Sequence, residues 1–203
     1  MKKRIVILIS GSGTNMVSLV EATRKDNFLA EVVAVLSDND DAKGIERARA
    51  LGIPTDIVRR KSFTDKDSFE TALLDRIDRF KPDIICLAGF MRLISRRIIT
   101  PYEGRILNIH PALLPLFRGL NTHQRALDAG VKISGCTVHL VTEGMDEGSI
   151  LGQAAVPVLD DDTAETLAAR VLKVEHKLYP ATLRAFIESD YKNTNAGQQI
   201  ISF

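Results

Sequence analysis

The sequence has little of what would place it among secreted, membrane or metal-binding proteins. It contains two cysteines, no tryptophan, and no apolar stretch that approaches the 18 or more residues of a membrane span. Cys86 and Cys136 lie in separate apolar segments and lack the Cys-x-x-Cys spacing of a metal site. We therefore expect two buried, reduced thiols, no disulfide and no bound metal.

Charge of either sign is not in excess. Lys and Arg total 27, Asp and Glu total 26, and the formal net charge is +1. This balance predicts that neither a nucleic acid nor a membrane surface is the main partner. The opening MKKRIVILIS has a basic start, but its apolar run is too short for a secretory signal. We expect a cytoplasmic protein in which any anion-binding site is confined to a few residues and is not part of an extended charged surface.

What the first half does contain is a regular alternation of strand and helix patterns. Uninterrupted short apolar runs are typical of strands covered on both faces, and the amphipathic segments between them are typical of helices. The predicted strands are residues 4–10, 31–37, 55–60 and 83–89, and the predicted helices are residues 15–25, 44–52 and 63–81. This order predicts an α/β fold, a Rossmann-like open sheet with a parallel N-terminal half and helices on both faces.

The second half changes character and predicts a mixed C-terminal half of the sheet. The predicted strands are residues 105–110, 133–141 and 149–158, and a short helix is predicted at 122–130. A long helix is predicted over 162–189, with Asp162 and Glu165 forming its capping box. We expect one domain, 1–203, comprising a half at 1–100, a half at 101–190 and a flexible tail at 191–203.

A glycine-rich turn, SGSGTN at residues 10–15, separates the first strand from the first helix. Its glycines let backbone N–H groups point inward, and the helix N-terminus adds a positive dipole end that suits a phosphate. A dinucleotide fingerprint would require glycine where Met16 stands. Asp38 could imitate the ribose-binding acid of dinucleotide folds, but its segment SDNDD is more simply a solvated loop. The turn predicts a phosphomonoester site, and a tight turn without a ligand is the alternative.

The strand at 105–110 ends in an asparagine and a histidine. Asn108 and His110 are two residues apart, so they point to the same face of a strand. Pro111 cannot continue the hydrogen-bond ladder, and open α/β sheets bind ligands at the carboxyl ends of their strands. An amide beside an imidazole could stabilise a carbonyl oxygen that becomes anionic. The alternative is a hydrogen-bonded histidine that caps the following loop.

An acidic, glycine-containing loop, TEGMDEG, occupies residues 142–148. Asp146 in this loop could favour the protonated form of His110, or could accept a proton from an attacking amine. Acids in such loops are usually solvated, so the loop alone does not decide whether Asp146 is a catalytic residue or a solvated surface residue. His139, which alternates with Val138 and Leu140, is expected to be structural or to lie behind the reacting groups.

Together these segments resemble the phosphoribosylglycinamide formyltransferase family of the folate-dependent formyltransferase superfamily. The resemblance rests on SGSGTN, LAGFMRLIS, ILNIHPALLP and GCTVHLVTEGMDEG, and it extends to VEHKLYP at residues 174–180. The Asn-x-His-Pro core with its following Leu-Leu-Pro marks the superfamily. The GSGTN turn combined with EHKLYP points to this one family within it.

The resemblance implies transfer of a formyl group from 10-formyltetrahydrofolate, as co-substrate, to the primary amine of glycinamide ribonucleotide in purine synthesis. It implies a catalytic trio of Asn108, His110 and Asp146, in which His110 donates the proton. The residues implied to bind the ribonucleotide phosphate and ribose are Gly13, Thr14, Asn15, Leu172, Lys173, Val174 and Glu175. The residues implied to bind folate are Lys66, Met91, Arg92, Leu93, Ile94, Asn108, Thr142, Glu143, Gly144, Met145 and Asp146. A monomer and a homodimer are both compatible with it.

The sequence departs from the family's usual residues at Lys66, Ala112, Glu147 and Ser149, which puts folate affinity and loop conformation in question. Other superfamily members remain alternatives: an amino-sugar formyltransferase, methionyl-tRNA formyltransferase and formyltetrahydrofolate deformylase. The last two would carry an additional domain, which 203 residues do not favour. A non-catalytic nucleotide- or folate-binding module is the alternative of a different class, and it would be expected to lack part of the catalytic trio.

Overall fold

The computed structural model describes residues 1–190 and 199–200. The chain divides into two compact units, Met1–Leu107 and Asn108–Phe203. The boundary falls inside strand β5, Ile106–His110, which begins in the first unit and ends in the second. The single domain expected over 1–203, with halves at 1–100 and 101–190, stays a prediction.

Strands and helices alternate along the first unit. Its strands are β1 (Lys3–Ile9), β2 (Ala30–Ser37), β3 (Thr55–Ile57) and β4 (Ile84–Leu87), and its helices are α1 (Thr14–Thr23), α2 (Lys43–Ala50), α3 (Lys66–Arg79) and α4 (Arg96–Ile99). Helix α3 begins after Asp65, whose side chain accepts a hydrogen bond from the Ser68 amide. This contact satisfies one of the N–H groups that the first turn of a helix leaves unpaired.

The strands of the first unit are parallel and lie in the order β3-β2-β1-β4. Every residue of β1 from Ile5 to Ile9, and every residue of β4, is buried. Because successive side chains point to opposite faces of a strand, both faces of the sheet are covered there. The predicted parallel N-terminal half of an open α/β sheet is confirmed.

The second unit contains the end of β5 and a mixed set of strands. Its other described elements are α5 (Thr122–Asp128), β6 (Ile133–Leu140), β7 (Ile150–Pro157), α6 (Ala164–Glu188) and β8 (Gln199–Ile200). Strands β6 and β7 are antiparallel, whereas β7 and β8 are parallel. The prediction of a mixed C-terminal half is therefore confirmed.

Helix α6 packs against β6 and β7 through side chains that recur at helical spacing. At Gly152 in β7, an added Cβ atom would lie 2.5 Å from Thr182 Oγ1 of the helix. Glycine at this position therefore permits the close approach of α6 to β7. The helix continues through Pro180 as one element of 25 residues.

The predicted capping box of α6 is wrong by one residue. Thr163, not Asp162, is the N-cap, and it exchanges hydrogen bonds with Thr166, not Glu165. Asp162 instead accepts a hydrogen bond from Thr166 Oγ1 and pairs with Arg170 at 2.5 Å. A carboxylate one position before the N-cap can reach a cation two turns into the helix. This ion pair holds the Asp162 side chain and leaves Thr163 as the N-cap residue.

Two further predicted segments, the third strand and the C-terminal tail, differ from the structure in their extent. The third strand ends at Ile57, not at residue 60, because residues 60–62 form a 3₁₀ turn. Residues 191–198 and 201–203, most of the predicted flexible tail, lie outside the described residues. Residues 199–200 of that tail form the short strand β8 beside β7.

Candidate active site

The first unit carries the glycine-rich turn between β1 and α1. Gly13 has a φ of +71° and immediately precedes α1. An added Cβ atom at Gly13 would lie 2.6 Å from Gly44 Cα, and the Gly44 amide donates to the Gly11 carbonyl at 3.0 Å. Both the positive φ and the close approach of α2 therefore require glycine here. The first turn of α1, with Thr14 and Asn15, can offer backbone N–H groups to an anion.

The segment Met91–Ile94 follows β4 in the same unit. Met91 and Leu93 are exposed, whereas Ile94 is buried. The Met91 amide donates to Ser10 Oγ at 2.8 Å, so this segment is joined directly to the glycine-rich turn. Exposed apolar side chains held at the carboxyl end of a parallel strand suit a flat organic ligand.

Two cations predicted to bind folate each pair with a buried carboxylate of the first unit. Arg92 Nε donates to Asp38 Oδ2 at 2.6 Å, and Lys66 Nζ lies 3.6 Å from Glu70 Oε1. Asp38 is only 4 % exposed. The interpretation of SDNDD as a solvated loop is therefore wrong at Asp38, because the ion pair with Arg92 permits burial of the carboxylate.

The second unit holds Asn108 and His110 at the end of β5. Asn108 Nδ2 lies 3.2 Å from His139 Nε2, and His110 Nδ1 lies 3.3 Å from Asp146 Oδ2. His110 is 5 % exposed, and its Nε2 lies 3.0 Å from the Phe117 carbonyl oxygen. A carbonyl oxygen can only accept, so Nε2 of His110 carries a proton. Both ring nitrogens of His110 therefore face oxygen acceptors.

Asp146 lies between two histidines of the second unit. Its Oδ2 accepts a hydrogen bond from the Gly119 amide at 2.9 Å, and its Oδ1 lies 3.6 Å from His139 Nε2. Burial raises the pKa of Asp146, but the nearby His139 ring, the hydrogen bond from the Gly119 amide and the charge of His110 outweigh burial. The pKa of Asp146 is consequently below its usual value, and Asp146 is a carboxylate at neutral pH.

His139 contacts two members of the predicted trio, Asn108 and Asp146. Its Nδ1 lies 2.8 Å from the Leu140 carbonyl oxygen, so Nδ1 carries the proton of a neutral ring. Nε2 can then accept a hydrogen bond from the Asn108 amide, or it can donate to Asp146 when the ring is protonated. The signal in the sequence was a histidine at a buried position of an apolar strand, where its nitrogens must find partners.

The loop that follows β6 is tightly closed. The Leu140 amide donates to the Ser149 carbonyl at 2.9 Å, and an added Cβ atom at Gly148 would overlap the Leu140 carbonyl oxygen. Glu147, one of the departures from the family's usual residues, pairs with Arg118 at 2.7 Å. Among the residues of this loop predicted to bind folate, Thr142, Glu143 and Met145 are exposed, and Gly144 and Asp146 are partly buried.

Helix α6 carries the residues predicted to reach the ribose. Lys173 is exposed and Leu172 is half-buried, whereas Val174 and Glu175 are buried. Burial, together with the charge of Glu175, raises the pKa of the Cys136 thiol. Cys136 is therefore a neutral, buried thiol, and Cys86 is also buried without a disulfide.

Residues 3–183 match the protein-family model described as formyl transferase. The chain belongs to this family. A crystal structure of phosphoribosylglycinamide formyltransferase from Brucella melitensis is 63% identical, superposes with a TM-score of 0.88, and matches over 92% of this chain and 96% of that one.

Curated relatives are of two lengths. Phosphoribosylglycinamide formyltransferase of Escherichia coli (strain K12) is 40% identical, over 93% of this chain and 89% of its own length. The trifunctional purine biosynthetic protein adenosine-3 of Bos taurus is 45% identical over 90% of this chain. The chain spans only 18% of that longer relative.

These matches confirm the resemblance that SGSGTN, ILNIHPALLP and the 142–148 loop indicated. Within residues 1–190 and 199–200, no helix combines the length and apolar character needed to span a bilayer. The roles of the individual site residues stay predictions.

Proposed function

We propose that the protein is a phosphoribosylglycinamide formyltransferase. It transfers the formyl group of 10-formyltetrahydrofolate to the primary amine of glycinamide ribonucleotide, in purine biosynthesis in the cytoplasm. The observation that carries the proposal is the 3.3 Å contact of His110 with Asp146, with Asn108 linked to Asp146 through His139. An amide, an imidazole and a carboxylate are the groups that acyl transfer to an amine requires.

The first step is attack of the amine lone pair on the formyl carbon, which moves the carbonyl π electrons onto oxygen. The resulting oxyanion accepts hydrogen bonds from the Asn108 amide and from protonated His110. Asn108 has two N–H groups, so it can donate one to the oxyanion while the other remains with His139. The Nε2–H of His110 that faces the Phe117 carbonyl is the donor that would turn to the oxyanion.

Proton transfers complete the reaction. The attacking amine gains a positive charge and loses one proton to Asp146, directly or through a water molecule. Cleavage of the bond between the formyl carbon and N10 of the folate requires one proton on N10, and His110 supplies it. Asp146 then releases its proton to water, and Nε2 of His110 takes up one proton from water, so the protein ends the cycle as it began.

The proposal assigns substrate binding to the residues that the resemblance implied. Gly13, Thr14 and Asn15 hold the ribonucleotide phosphate, and the buried Glu175 accepts hydrogen bonds from the ribose. Within the first unit the proposal assigns Met91–Ile94 and Lys66 to the folate, and within the second unit it assigns the 142–146 backbone to the folate. The co-substrate carries the formyl group, and hydrogen bonds and proton transfers meet the chemistry without a metal.

The test is a steady-state assay with the purified protein, glycinamide ribonucleotide and 10-formyltetrahydrofolate. We expect tetrahydrofolate and formylated ribonucleotide to appear in a one-to-one ratio, measured by absorbance and by mass spectrometry. Parallel assays replace the ribonucleotide by an amino-sugar nucleotide or by methionyl-tRNA. Turnover with one of these acceptors only would identify a different member of the superfamily, and binding without any turnover would leave a non-catalytic module.

A further inference from the structure

Asp38 is a buried carboxylate for which the proposed reaction has no use. It follows β2 directly, its side chain is 1 % exposed, and its Oδ2 accepts the 2.6 Å hydrogen bond from Arg92 Nε. We propose that Asp38 is a positioning residue for folate: by fixing the Arg92 side chain, it sets the shape of the segment Met91–Ile94 before the co-substrate binds. The inference rests on the proposed function, since it assigns that segment to the folate.

The backbone on both sides of Asp38 is itself held in place. The Arg60 amide donates to the Asp38 carbonyl at 3.1 Å, and the Val58 amide donates to the Ser37 carbonyl at 2.9 Å. On the other side, the Asn39 amide donates to Ser37 Oγ at 3.1 Å. Because the backbone that carries it is fixed in this way, the Asp38 carboxylate can hold the Arg92 side chain in one orientation.

Arg92 is the more exposed partner in this pair. Its side chain is 48 % exposed, and within the described part of the chain Asp38 is its only ion-pair partner. Because Asp38 holds Nε, the two terminal nitrogens of the guanidinium stay available to a ligand. An arginine has many rotamers, and confining it before binding lowers the entropy cost of using it.

Two other side chains hold the same segment, which shows that its shape is set by the surrounding protein. Ser10 Oγ accepts the Met91 amide at one end. At the other end, the Ser95 amide donates to the buried Glu70 carboxylate at 2.9 Å, and Ser95 Oγ donates to Glu70 as well. Asp38 is the contact in the middle, and the one that acts on a side chain available to the folate.

The second carboxylate oxygen of Asp38 allows the charge of the Asp38–Arg92 pair to be tested by a conservative substitution. Asp38 Oδ1 is buried and has no hydrogen-bond partner among residues 1–190 and 199–200. An asparagine could keep a neutral acceptor toward Arg92 Nε while losing the charge that attracts the guanidinium. Because Oδ1 makes no hydrogen bond within the described part of the chain, Asp38→Asn removes the charge while disturbing few other contacts.

The main experiment compares wild type with Asp38→Asn in steady-state formyl transfer and in direct binding. We expect the KM for 10-formyltetrahydrofolate and the Kd for tetrahydrofolate, by calorimetry, to rise roughly tenfold, the size of a weakened charge-assisted hydrogen bond. The KM for the ribonucleotide and kcat should change less than twofold. An unchanged folate KM and Kd would overturn the inference.

A double-mutant cycle tests whether Asp38 acts through Arg92. If it does, Asp38→Asn combined with Arg92→Gln should weaken folate binding no more than Arg92→Gln alone. If the losses in folate affinity of the two single variants multiply in the double variant, Asp38 acts independently of Arg92 and the proposal is contradicted. Asp38→Ser, a smaller neutral side chain, should reproduce the folate defect of Asp38→Asn if the latter is too unstable to assay.

Asp162→Asn is the matched control, because Asp162 also forms a short ion pair with an arginine, Arg170, and neither residue is among the proposed folate-binding groups. We expect it to lower the Tm without raising the folate KM. If it raises the folate KM as much as Asp38→Asn does, the effect is general destabilisation and the inference fails. Absence of turnover in wild type would contradict the proposed function itself. Turnover in wild type, with the folate KM and Kd unchanged in Asp38→Asn, would contradict only the positioning role.

Discussion

The glycine-rich turn of the first unit and the His110 cluster of the second unit present different parts of the chain to a ligand. At Gly13 the positive φ and the nearby Gly44 leave no space for a side chain, so this position of the turn can offer only its backbone. The His110 cluster consists of side chains whose protons can move. The comparison teaches that binding and chemistry can be separated by substitution: changes in the turn should affect affinity, and changes in the cluster should affect rate.

The largest expected effect is that of His110→Ala. Loss of the oxyanion donor and of the proton for N10 should lower kcat by at least about 10²–10³-fold. The KM for the ribonucleotide should change little, because its phosphate is bound elsewhere. Steady-state kinetics with both substrates varied gives the two constants, and a large rise in ribonucleotide KM with kcat retained would break the comparison.

Gly13→Ala should have the next largest effect, and on the opposite constant. The new methyl group would meet Gly44 Cα, so the turn must shift and the ribonucleotide KM should rise, with kcat nearly retained. Gly52→Ala is the matched control, since Gly52 has a φ of +69° but nothing within 4 Å of an added Cβ atom. Gly52→Ala should cost only about 1–2 kcal/mol of unfolding free energy from backbone strain. Equal ribonucleotide KM values in the two variants would show that the turn binds no phosphate.

A smaller effect, on pH dependence, is expected from His139→Phe. Burial raises the pKa of Asp146, and the nearby His139 ring is the first of the groups that lower it again, so removal of that ring should raise the pKa of Asp146. In wild type Asp146 stays ionised until the pH falls below its ordinary pKa of 3.8. The acidic limb of the kcat profile should therefore move to higher pH in the variant. A limb that does not move would remove Asp146 as the proton acceptor.

The smallest effect concerns Asp162, a carboxylate whose pKa is also low but which we place outside the site. The hydrogen bonds from Arg170 lower the pKa of Asp162 below its ordinary 3.8. A lowered folded-state pKa stabilises the fold above pH 3.8, and this contribution is lost as the pH falls through the lowered value. Arg170→Met should thus lower the Tm at neutral pH, with a difference from wild type that shrinks in acid, and should leave kcat unchanged. A fall in kcat would contradict the assignment of Asp162 and Arg170 as a structural pair outside the site.

Much of the fold could be predicted because it follows from local patterns. Apolar runs such as Ile5–Ile9 indicate strands buried on both faces, and their alternation with helices predicts a parallel sheet. The adjacency of Asn108 and His110 follows from the two-residue period of a strand. The capping box of α6 was misplaced because several neighbouring residues, among them Asp162 and Thr163, can all cap a helix, and the ion pair with Arg170 decided between them.

Contacts between distant segments could not be predicted from local pattern. Asp146 reaches His110 across a loop in which it adopts a φ of +53°, a conformation that no propensity of aspartate dictates. The sequence resemblance indicated Asp146, whereas the residues around it did not. Asp38 was misread for the same reason: its partner Arg92 is 54 residues away, and only that partner makes burial of a carboxylate in SDNDD possible.

The most direct test of the central claim is the coupling between His110 and Asp146 in the rate of formyl transfer. Single-turnover rates would be measured for His110→Ala, Asp146→Ala and the double variant, with both substrates saturating. If the two residues act as one unit across their 3.3 Å contact, the double variant should be about as slow as the slower single variant. If the two losses multiply, the residues act independently, and the account of a coupled pair is contradicted.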